Sequence, residues 1–250
     1  GVAAADGQSF VVQSVDARGP ELGIDAVNTG PAKAKDLEVT VAGKPAKAKV
    51  QTFAEAGRGS NVVIVVDNST GIGNGAVQIA KEQLQQRLAP GSNDIVNLGV
   101  VTIGRQARLS VPLTPSPDSV AASVRAIQPV GQPALWDGIT MAAEELAEVG
   151  SPSVNDQIVV VTGSKDAVSR KNYASVEEAL RRSGASLHVI TLAGGSAQVD
   201  LLQSLVDVAG GTIQQGSSND LGTMLGGIAD RLGHQFRITV PAVRSSEDLV

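Results

Sequence analysis

The sequence predicts an α/β fold, a doubly wound, mostly parallel sheet flanked by helices, joined to a small antiparallel β module. From residue 61 onward, short apolar runs alternate with amphipathic stretches, as in parallel sheets with right-handed crossovers. The first sixty residues instead hold short alternating runs separated by turn signals, without a helical pattern. A last alternating segment, residues 234–242, resembles those early runs, so we expect it to return and pair with them. We therefore divide the chain into a β module, residues 1–57 plus 234–250, and an α/β domain, residues 58–233.

The β module is predicted from period-two alternation, which is typical of strands with one buried face. Turn signals RGP, NTGP and AGKP separate the runs. Antiparallel strands are predicted at residues 9–17, 21–28, 37–43 and 48–53.

The α/β domain begins with an unbroken run of mostly β-branched residues at 61–67, which indicates a strand buried on both faces. A helix follows at 74–88, with its apolar residues on one face. Further strands are predicted at residues 95–103, 107–113, 157–162, 186–192 and 211–215. Further helices are predicted at residues 117–127, 134–148, 171–183, 198–209 and 219–233.

Composition excludes several classes of protein. The 250 residues are 42% hydrophobic, and no window approaches the roughly eighteen apolar residues of a membrane helix. The net charge of −5, with scattered basic residues, argues against a nucleic-acid partner. The absence of cysteine excludes disulfides, thiolate metal sites and a cysteine nucleophile. The first residues, GVAAADG, are typical of a cloning remnant or of a region near a signal cleavage site, so we expect an upstream signal or membrane anchor in the parent protein.

The segment NVVIVVDNSTGIGNG, residues 61–75, is the most informative for function. Its apolar run ends in Asp67, passes through Ser69 and enters a glycine-rich turn. Polar groups at the carboxyl end of a parallel strand lie where open α/β sheets bind ligands. A carboxylate, two hydroxyls and free backbone amides there suit a divalent cation or a phosphate.

Four motifs, in order over residues 61 to about 233, resemble the von Willebrand factor type A domain. They are VVIVVDNST, LGVVTIGRQARL, GQPALWDGI and IVVVTGSKD. The resemblance implies a Rossmann-like fold that binds proteins through a metal-ion-dependent adhesion site at the carboxyl ends of its strands.

The resemblance also implies that this adhesion site is degenerate. Asp67 and Ser69 stand at the first two ligand positions, whereas Gly71, Pro133 and Gly163 replace the second serine, the threonine and the aspartate of the family. Glycine and proline bring no side-chain oxygen for Mg²⁺. We therefore expect no metal and no other cofactor, with Asp67 and Ser69 serving as cap and loop residues. A Mg²⁺-dependent adhesin using Asp67 and Ser69 is the alternative.

A second alternative is a nucleotide-binding oxidoreductase that uses the loop of Gly71, Gly73 and Gly75. This loop follows a strand and opens a helix, as in a dinucleotide-binding fingerprint, but its third glycine comes one residue early. The next strand ends in TIGRQ, which offers no acidic residue for a ribose, although Arg105 could meet a 2′-phosphate. A hydrolase is disfavoured because no G-x-S-x-G motif occurs.

The function predicted from the sequence is a non-enzymatic protein–protein interaction or adhesion module. The small β module before a type A domain resembles exported or membrane-anchored bacterial ectodomains, some associated with tight-adherence pilus assembly. That resemblance implies an extracytoplasmic location and a protein partner from a pilus or secretion system. We expect the partner to bind the loop face through Asn68, Ser69, Asn74 and Trp136. Trp136 either packs at a helix start or is an exposed aromatic anchor.

Overall fold

The computed structural model describes residues 2–4, 10–17, 21–28, 37–41, 44–149, 154–192 and 198–241. The chain divides into two compact units, residues 1–58 with 230–250 and residues 59–229. The division made from the sequence placed these boundaries after residues 57 and 233. Among the residues that the structure describes, no helix has the length and apolarity to cross a membrane.

The smaller unit is built from antiparallel strands. A four-stranded sheet has the order β2-β3-β13-β6, and a three-stranded sheet has the order β1-β4-β5. The C-terminal strand β13 lies between β3 and β6, with Phe236 opposite both Ala26 and Thr52. The predicted return of the C-terminal segment is therefore confirmed. The strands are β1 (Val2–Ala4), β2 (Phe10–Asp16), β3 (Glu21–Asn28), β4 (Leu37–Val41), β5 (Lys44–Pro45), β6 (Lys49–Thr52) and β13 (Gln235–Pro241).

Two of these strands, β1 and β5, were not predicted. β1 lies in the segment that composition suggested was a processing or cloning remnant, yet it pairs with β4. β5 lies in a predicted turn and contributes two residues to the ladder with β4. Strands this short carry no periodic signal, so only their pairing reveals them.

A buried charge network holds the smaller unit together. Asp25 is fully buried, and its carboxylate forms ion pairs with Arg58 (2.8 Å) and Arg237 (2.9 Å). Two guanidinium partners compensate the desolvation of the carboxylate, which would otherwise be expensive.

The larger unit contains a six-stranded sheet of order β12-β11-β10-β7-β8-β9. Neighbouring strands are parallel, except that β9 returns antiparallel to β8. The strands are β7 (Gly59–Val66), β8 (Ile95–Thr102), β9 (Arg108–Thr114), β10 (Val154–Thr162), β11 (Ser186–Leu192) and β12 (Gly211–Gly216). The predicted doubly wound sheet is confirmed, and the strand ends agree within a few residues.

Six helices accompany this sheet in the described part of the chain. They are α1 (Asn74–Arg87), α2 (Pro117–Ala126), α3 (Leu135–Val149), α4 (Tyr173–Ser183), α5 (Val199–Ala209) and α6 (Leu221–Gly233). Side-chain caps fix two helix starts, since Ser116 accepts a hydrogen bond at α2 and Asn172 accepts one at α4.

The central strand β7 is buried along its whole length, as its unbroken apolar sequence predicts. The chain adds β8 and β9 on one side of β7 and β10 to β12 on the other. Open α/β sheets bind ligands beside such a reversal of strand order, at the carboxyl ends of the strands. The loops that follow β7 and β10 therefore frame the candidate site.

Candidate functional site at the carboxyl edge of the sheet

Asp67 follows β7 directly, and only 1% of its surface is exposed. Its Oδ1 accepts a hydrogen bond from the backbone N–H of Ser69 (2.9 Å). Its Oδ2 accepts from the Thr162 hydroxyl (3.0 Å) and from the backbone N–H of Gly163 (3.2 Å). Asp67 thus links the loop after β7 to the loop after β10. Hydrogen bonds to a carboxylate are stronger than neutral ones, so this link is a strong one.

The two serines of this edge lie side by side. The Ser69 hydroxyl is buried, and its oxygen lies 3.4 Å from the Ser164 hydroxyl oxygen. A Cβ built on Gly71 would lie 3.2 Å from Ser164 Oγ and 3.8 Å from Ser69 Oγ. A serine at position 71 would therefore face the same small space as Ser69 and Ser164.

At the other two altered positions, Gly163 and Pro133, neighbouring groups restrict which residue fits. A Cβ built on Gly163 would lie 2.9 Å from Cγ1 of Ile72, so an aspartate there requires Ile72 to move. Pro133 is buried, and its carbonyl accepts a hydrogen bond from the backbone N–H of Ala167 (3.0 Å). A larger side chain at position 163 therefore competes with Ile72, and Pro133 connects its loop to the loop after β10.

Two further carboxylates near this edge also accept hydrogen bonds from the backbone. Asp166 Oδ1 accepts from the N–H groups of Leu135 (2.8 Å) and Trp136 (3.3 Å), at the start of α3. Asp137 Oδ1 accepts from the N–H of Lys171 (2.7 Å). Both carboxylates fix loops, and Asp166 also lies at the positive end of a helix dipole.

The side-chain oxygens at this edge are too few for an adhesion-type Mg²⁺ site. Mg²⁺ needs near-octahedral oxygen ligation. Besides Asp137 and Asp166, which bind backbone N–H groups, the edge offers the Asp67 carboxylate, which already accepts three hydrogen bonds, and the hydroxyls of Ser69 and Ser164. Within the described ranges, no group of three or more His, Cys, Asp or Glu side chains is arranged to hold a metal ion.

The glycine loop does not lead straight from the strand into a helix. A 3₁₀ turn over Thr70–Ile72 intervenes, and α1 begins only at Asn74 after Gly73. β8 ends in Thr102, and Gly104 and Arg105 come shortly after it. The position of a ribose-binding carboxylate is thus filled by a glycine and a cation.

The residues predicted to bind a partner differ in their exposure. Asn74 is exposed at the start of α1, whereas Asn68 and Ser69 are buried. The Asn68 Nδ2 donates to the carbonyl of Gln128 (2.7 Å), and its Oδ1 accepts from the N–H of Gly104 (2.7 Å). Asn68 therefore braces three loops from within and does not offer its side chain to a partner.

Trp136 does not present an exposed anchor. Only 7% of its surface is accessible, and it packs in the main core cluster at the start of α3. Its ring meets Tyr173 edge to face, with the ring centroids 6.4 Å apart. Of the two alternatives left by the sequence, the structure agrees with packing at a helix start, and the assignment of Trp136 as an exposed partner-binding residue is wrong.

Comparisons with known proteins agree with this architecture. Residues 62–165 match the family model of the von Willebrand factor type A domain. A von Willebrand factor type A protein from Catenulispora acidiphila superimposes with a TM-score of 0.60 at 13% identity, covering 90% of this chain and 50% of that chain. Residues 59–229 have the von Willebrand factor type A fold. We refer to them below as the type A domain.

Two other solved structures share this fold. Proximal thread matrix protein 1 from the mussel byssus has a TM-score of 0.59 at 16% identity, covering 70% of this chain and 48% of that chain. An aerotolerance-related membrane protein from Bacteroides fragilis NCTC 9343 has a TM-score of 0.55 at 17% identity, covering 70% of this chain and 98% of that chain. This chain thus spans about half the length of the Catenulispora and mussel proteins. No curated protein matches the sequence significantly.

Proposed function

We propose that this chain is a non-enzymatic protein-interaction module of the bacterial cell envelope, and that its type A domain binds a protein partner without a bridging metal. The observation that carries the proposal is the hydrogen bonding of the Asp67 carboxylate. Its two oxygens accept three hydrogen bonds from the chain itself. A metal bound to this carboxylate would share its oxygens with the donors that hold two loops together.

Exposed polar side chains remain on this edge for direct recognition of a partner. Thr70, Asn74, Arg105, Gln132 and Lys165 are all exposed on the loops that follow the strands. The carboxylates nearby are turned inward to backbone donors. Recognition would therefore rest on loop shape, amides and cations in the place of a metal bridge.

The proposed location is extracytoplasmic, with the parent protein anchored to the membrane or secreted. Among proteins with the same fold, one from Bacteroides fragilis is described as a membrane protein. The lack of cysteine and the small antiparallel unit are in keeping with an exported ectodomain. We propose a pilus or secretion-system component as the partner. Protease treatment of intact cells tests the location, since an envelope-exposed protein is cleaved while a cytoplasmic marker survives.

Site-specific photo-crosslinking tests the binding face. A benzoylphenylalanine placed at Asn74 or Gln132 on the loop face should capture the same protein in living cells. The matched control is the same amino acid at Gln203, which is exposed on α5. Capture from Gln203 alone, or equal capture from every position, would contradict the assignment of this face.

A further inference from the structure

A polar cleft opens beside the candidate site, between the β8–β9 connection and the end of α2. Its volume is about 530 Å³. The polar side chains along it are Asn68, Thr102, Arg105, Gln106, Arg108, Ser110, Ser123 and Gln128. No carboxylate side chain is among the residues that line it. The cleft therefore offers donors and positive charge without an internal counter-ion.

The two arginines of the cleft are unpaired. Neither Arg105 nor Arg108 forms an ion pair or a side-chain hydrogen bond with any residue that the structure describes, and both are exposed. By contrast, Arg58 and Arg237 share Asp25, and Arg181 pairs with Glu177 (2.8 Å).

A third cation lies at the margin of the cleft. Lys81 donates from Nζ to the carbonyl of Ile127 (3.1 Å), and Ile127 is one of the lining residues. The Lys81 ammonium therefore adds to the positive potential beside the two arginines. Several unpaired cations around one concave surface favour an anionic ligand.

The backbone at Arg105 is held in an unfavourable conformation. Its φ of 65° lies in the left-handed region, which costs a residue with a Cβ about 1–2 kcal/mol. The Arg105 N–H donates to the Gln132 carbonyl (2.7 Å), and the Gln106 N–H donates to the Gly104 carbonyl (2.8 Å). Gly131 packs so closely that a Cβ there would lie 2.8 Å from the Cβ of Arg105. Strain fixed by its surroundings in this way is characteristic of functional sites.

Asn68 supplies the support beneath this loop. Besides its side-chain bonds to Gly104 and Gln128, its carbonyl accepts a hydrogen bond from the N–H of Val130 (2.8 Å). It is buried and also lines the cleft. Asn68 is thus a positioning residue that fixes the floor on which Arg105 is displayed.

We propose that this cleft binds a carboxylate-rich segment of the protein partner, an inference that rests on the proposed protein-binding function. A guanidinium can hold a carboxylate through two parallel hydrogen bonds, and Arg105 and Arg108 provide two such groups. The hydroxyls of Ser110 and Ser123 and the amide of Gln128 supply further donors. In this arrangement, cations of the chain contact the acidic side chains of the partner directly.

The test is a titration followed by ¹⁵N–¹H correlation spectra of the full chain, with the acetylated and amidated peptide Glu-Glu-Glu-Glu as the probe. The matched peptide Gln-Gln-Gln-Gln and inorganic phosphate are the comparison ligands. We expect saturable shifts from the acidic peptide, confined to residues 104–110 and 123–131, and none from the glutamine peptide.

Paired charge variants separate the cleft from general electrostatics. R105Q/R108Q should weaken binding of the acidic peptide about tenfold or more, since hydrogen bonds to charged groups are the strong ones. The control R87Q/R182Q removes the same charge from two exposed helix ends and should change binding less than about twofold, because distant surface charges are screened. The melting temperature of each variant shows whether it is folded.

Several results would overturn the proposal. They are the absence of saturable shifts, shifts centred elsewhere, equal loss in both variant pairs, and tighter binding of phosphate than of the acidic peptide with the same arginine dependence. Photo-crosslinking at Asn74 and Gln132 keeps this inference separate from the proposed function. If crosslinking captures a partner but the acidic peptide does not bind, the loop face is still the binding face and the proposal of an acidic ligand is wrong.

Discussion

Two groups of polar side chains lie at the carboxyl edge of the same sheet, in opposite states. Around Asp67, each carboxylate oxygen accepts hydrogen bonds from the chain, and the neighbouring hydroxyls are buried or half-buried. Around Arg105 and Arg108, the charged groups are exposed and have no partner among the described residues. Residues at the ligand positions of a known adhesion site therefore stabilise the fold, whereas the two arginines, which stand at none of those positions, keep their charged groups without an internal partner.

The physical basis of the difference is the cost of burying charge. A buried carboxylate is tolerated only if hydrogen bonds compensate its lost hydration. Asp67 obtains three such bonds from the loops it joins, and any ligand must compete with them. An exposed guanidinium retains much of its hydration and loses no internal bond when a ligand arrives. The four predictions below challenge this contrast in order of expected effect.

The largest effect is expected from Asp67→Ala. It would leave the N–H groups of Ser69 and Gly163 without an acceptor, and the Thr162 hydroxyl would keep only the Ser164 carbonyl (3.1 Å). We therefore expect a loss of about 3 kcal/mol or more in the free energy of unfolding. Urea denaturation measures this loss. Arg108→Gln is the matched control on the other side of the contrast and should stay within about 0.5 kcal/mol of the wild type. A loss below about 1 kcal/mol for Asp67→Ala would mean that the carboxylate is not structural.

The second effect concerns Mg²⁺. Millimolar Mg²⁺ should leave the melting temperature of the wild type unchanged, because Gly71, Pro133 and Gly163 bring no ligand. A quadruple variant, Gly71→Ser, Ile72→Ala, Pro133→Thr and Gly163→Asp, restores the missing oxygens and makes room at position 163. If it binds, Mg²⁺ at a hundred times its dissociation constant should stabilise it by about 2.7 kcal/mol.

The control for this experiment is the same quadruple variant carrying Asp67→Ala, which should not respond to Mg²⁺. The wild type decides the prediction. A reproducible rise in its melting temperature with Mg²⁺, reversed by EDTA, would favour the metal-dependent adhesin and contradict the metal-independent proposal.

The third prediction extends the contrast to Asp156, near the start of β10. This half-buried carboxylate accepts a hydrogen bond from the Asn61 amide (3.0 Å), which in turn accepts one from Asn97 (2.9 Å). Burial raises the pKa of Asp156 from 3.8 to about 6, and the Asn61 bond offsets only part of that shift. Asp156 thus accepts one side-chain hydrogen bond, whereas Asp67 accepts three hydrogen bonds.

The raised pKa of Asp156 has a defined consequence for stability. The folded state favours the protonated form, so the contribution is fully present below pH 3.8 and is lost as the pH rises through about 6. Asp156→Asn should therefore stabilise the protein by about 1–2 kcal/mol at pH 7.5, after allowance for solvent screening. At pH 3.5 it should have little effect. Urea denaturation at both pH values measures the difference, and an equal effect at both would contradict the assignment.

Much of the fold could be predicted from the sequence because its signals are local. β-branched runs such as residues 61–67 fix the strands, and amphipathic periodicity fixes the helices. The site was harder to predict because it depends on contacts between distant segments. Trp136 is buried by Tyr173 from another helix, and the loss of a ligand at Gly163 is coupled to Ile72.

The arginine cleft carried almost no sequence signal. The sequence marked Arg105 only as a possible phosphate contact, because a left-handed arginine cannot be recognised from its neighbours. Gly131 is the one local hint, since its φ of 63° and its contact with Arg105 require a residue without a Cβ.

The smallest effect on stability is expected from Arg105→Gly, and this variant tests the contrast most closely. Glycine adopts a φ of 65° without strain, which returns about 1–2 kcal/mol. Its greater freedom in the unfolded chain removes about 0.5–1 kcal/mol of that gain. We therefore expect a free energy of unfolding between that of the wild type and about 1.5 kcal/mol above it, together with weaker binding of the acidic peptide. Gly131→Ala is the matched control and should destabilise by more than about 1 kcal/mol, because its Cβ would collide with the Arg105 Cβ. A gain in stability with loss of binding means that the strain at Arg105 is maintained for ligand recognition. A loss of stability in Arg105→Gly would instead show that the arginine side chain supports the fold, and the two polar groups would no longer differ.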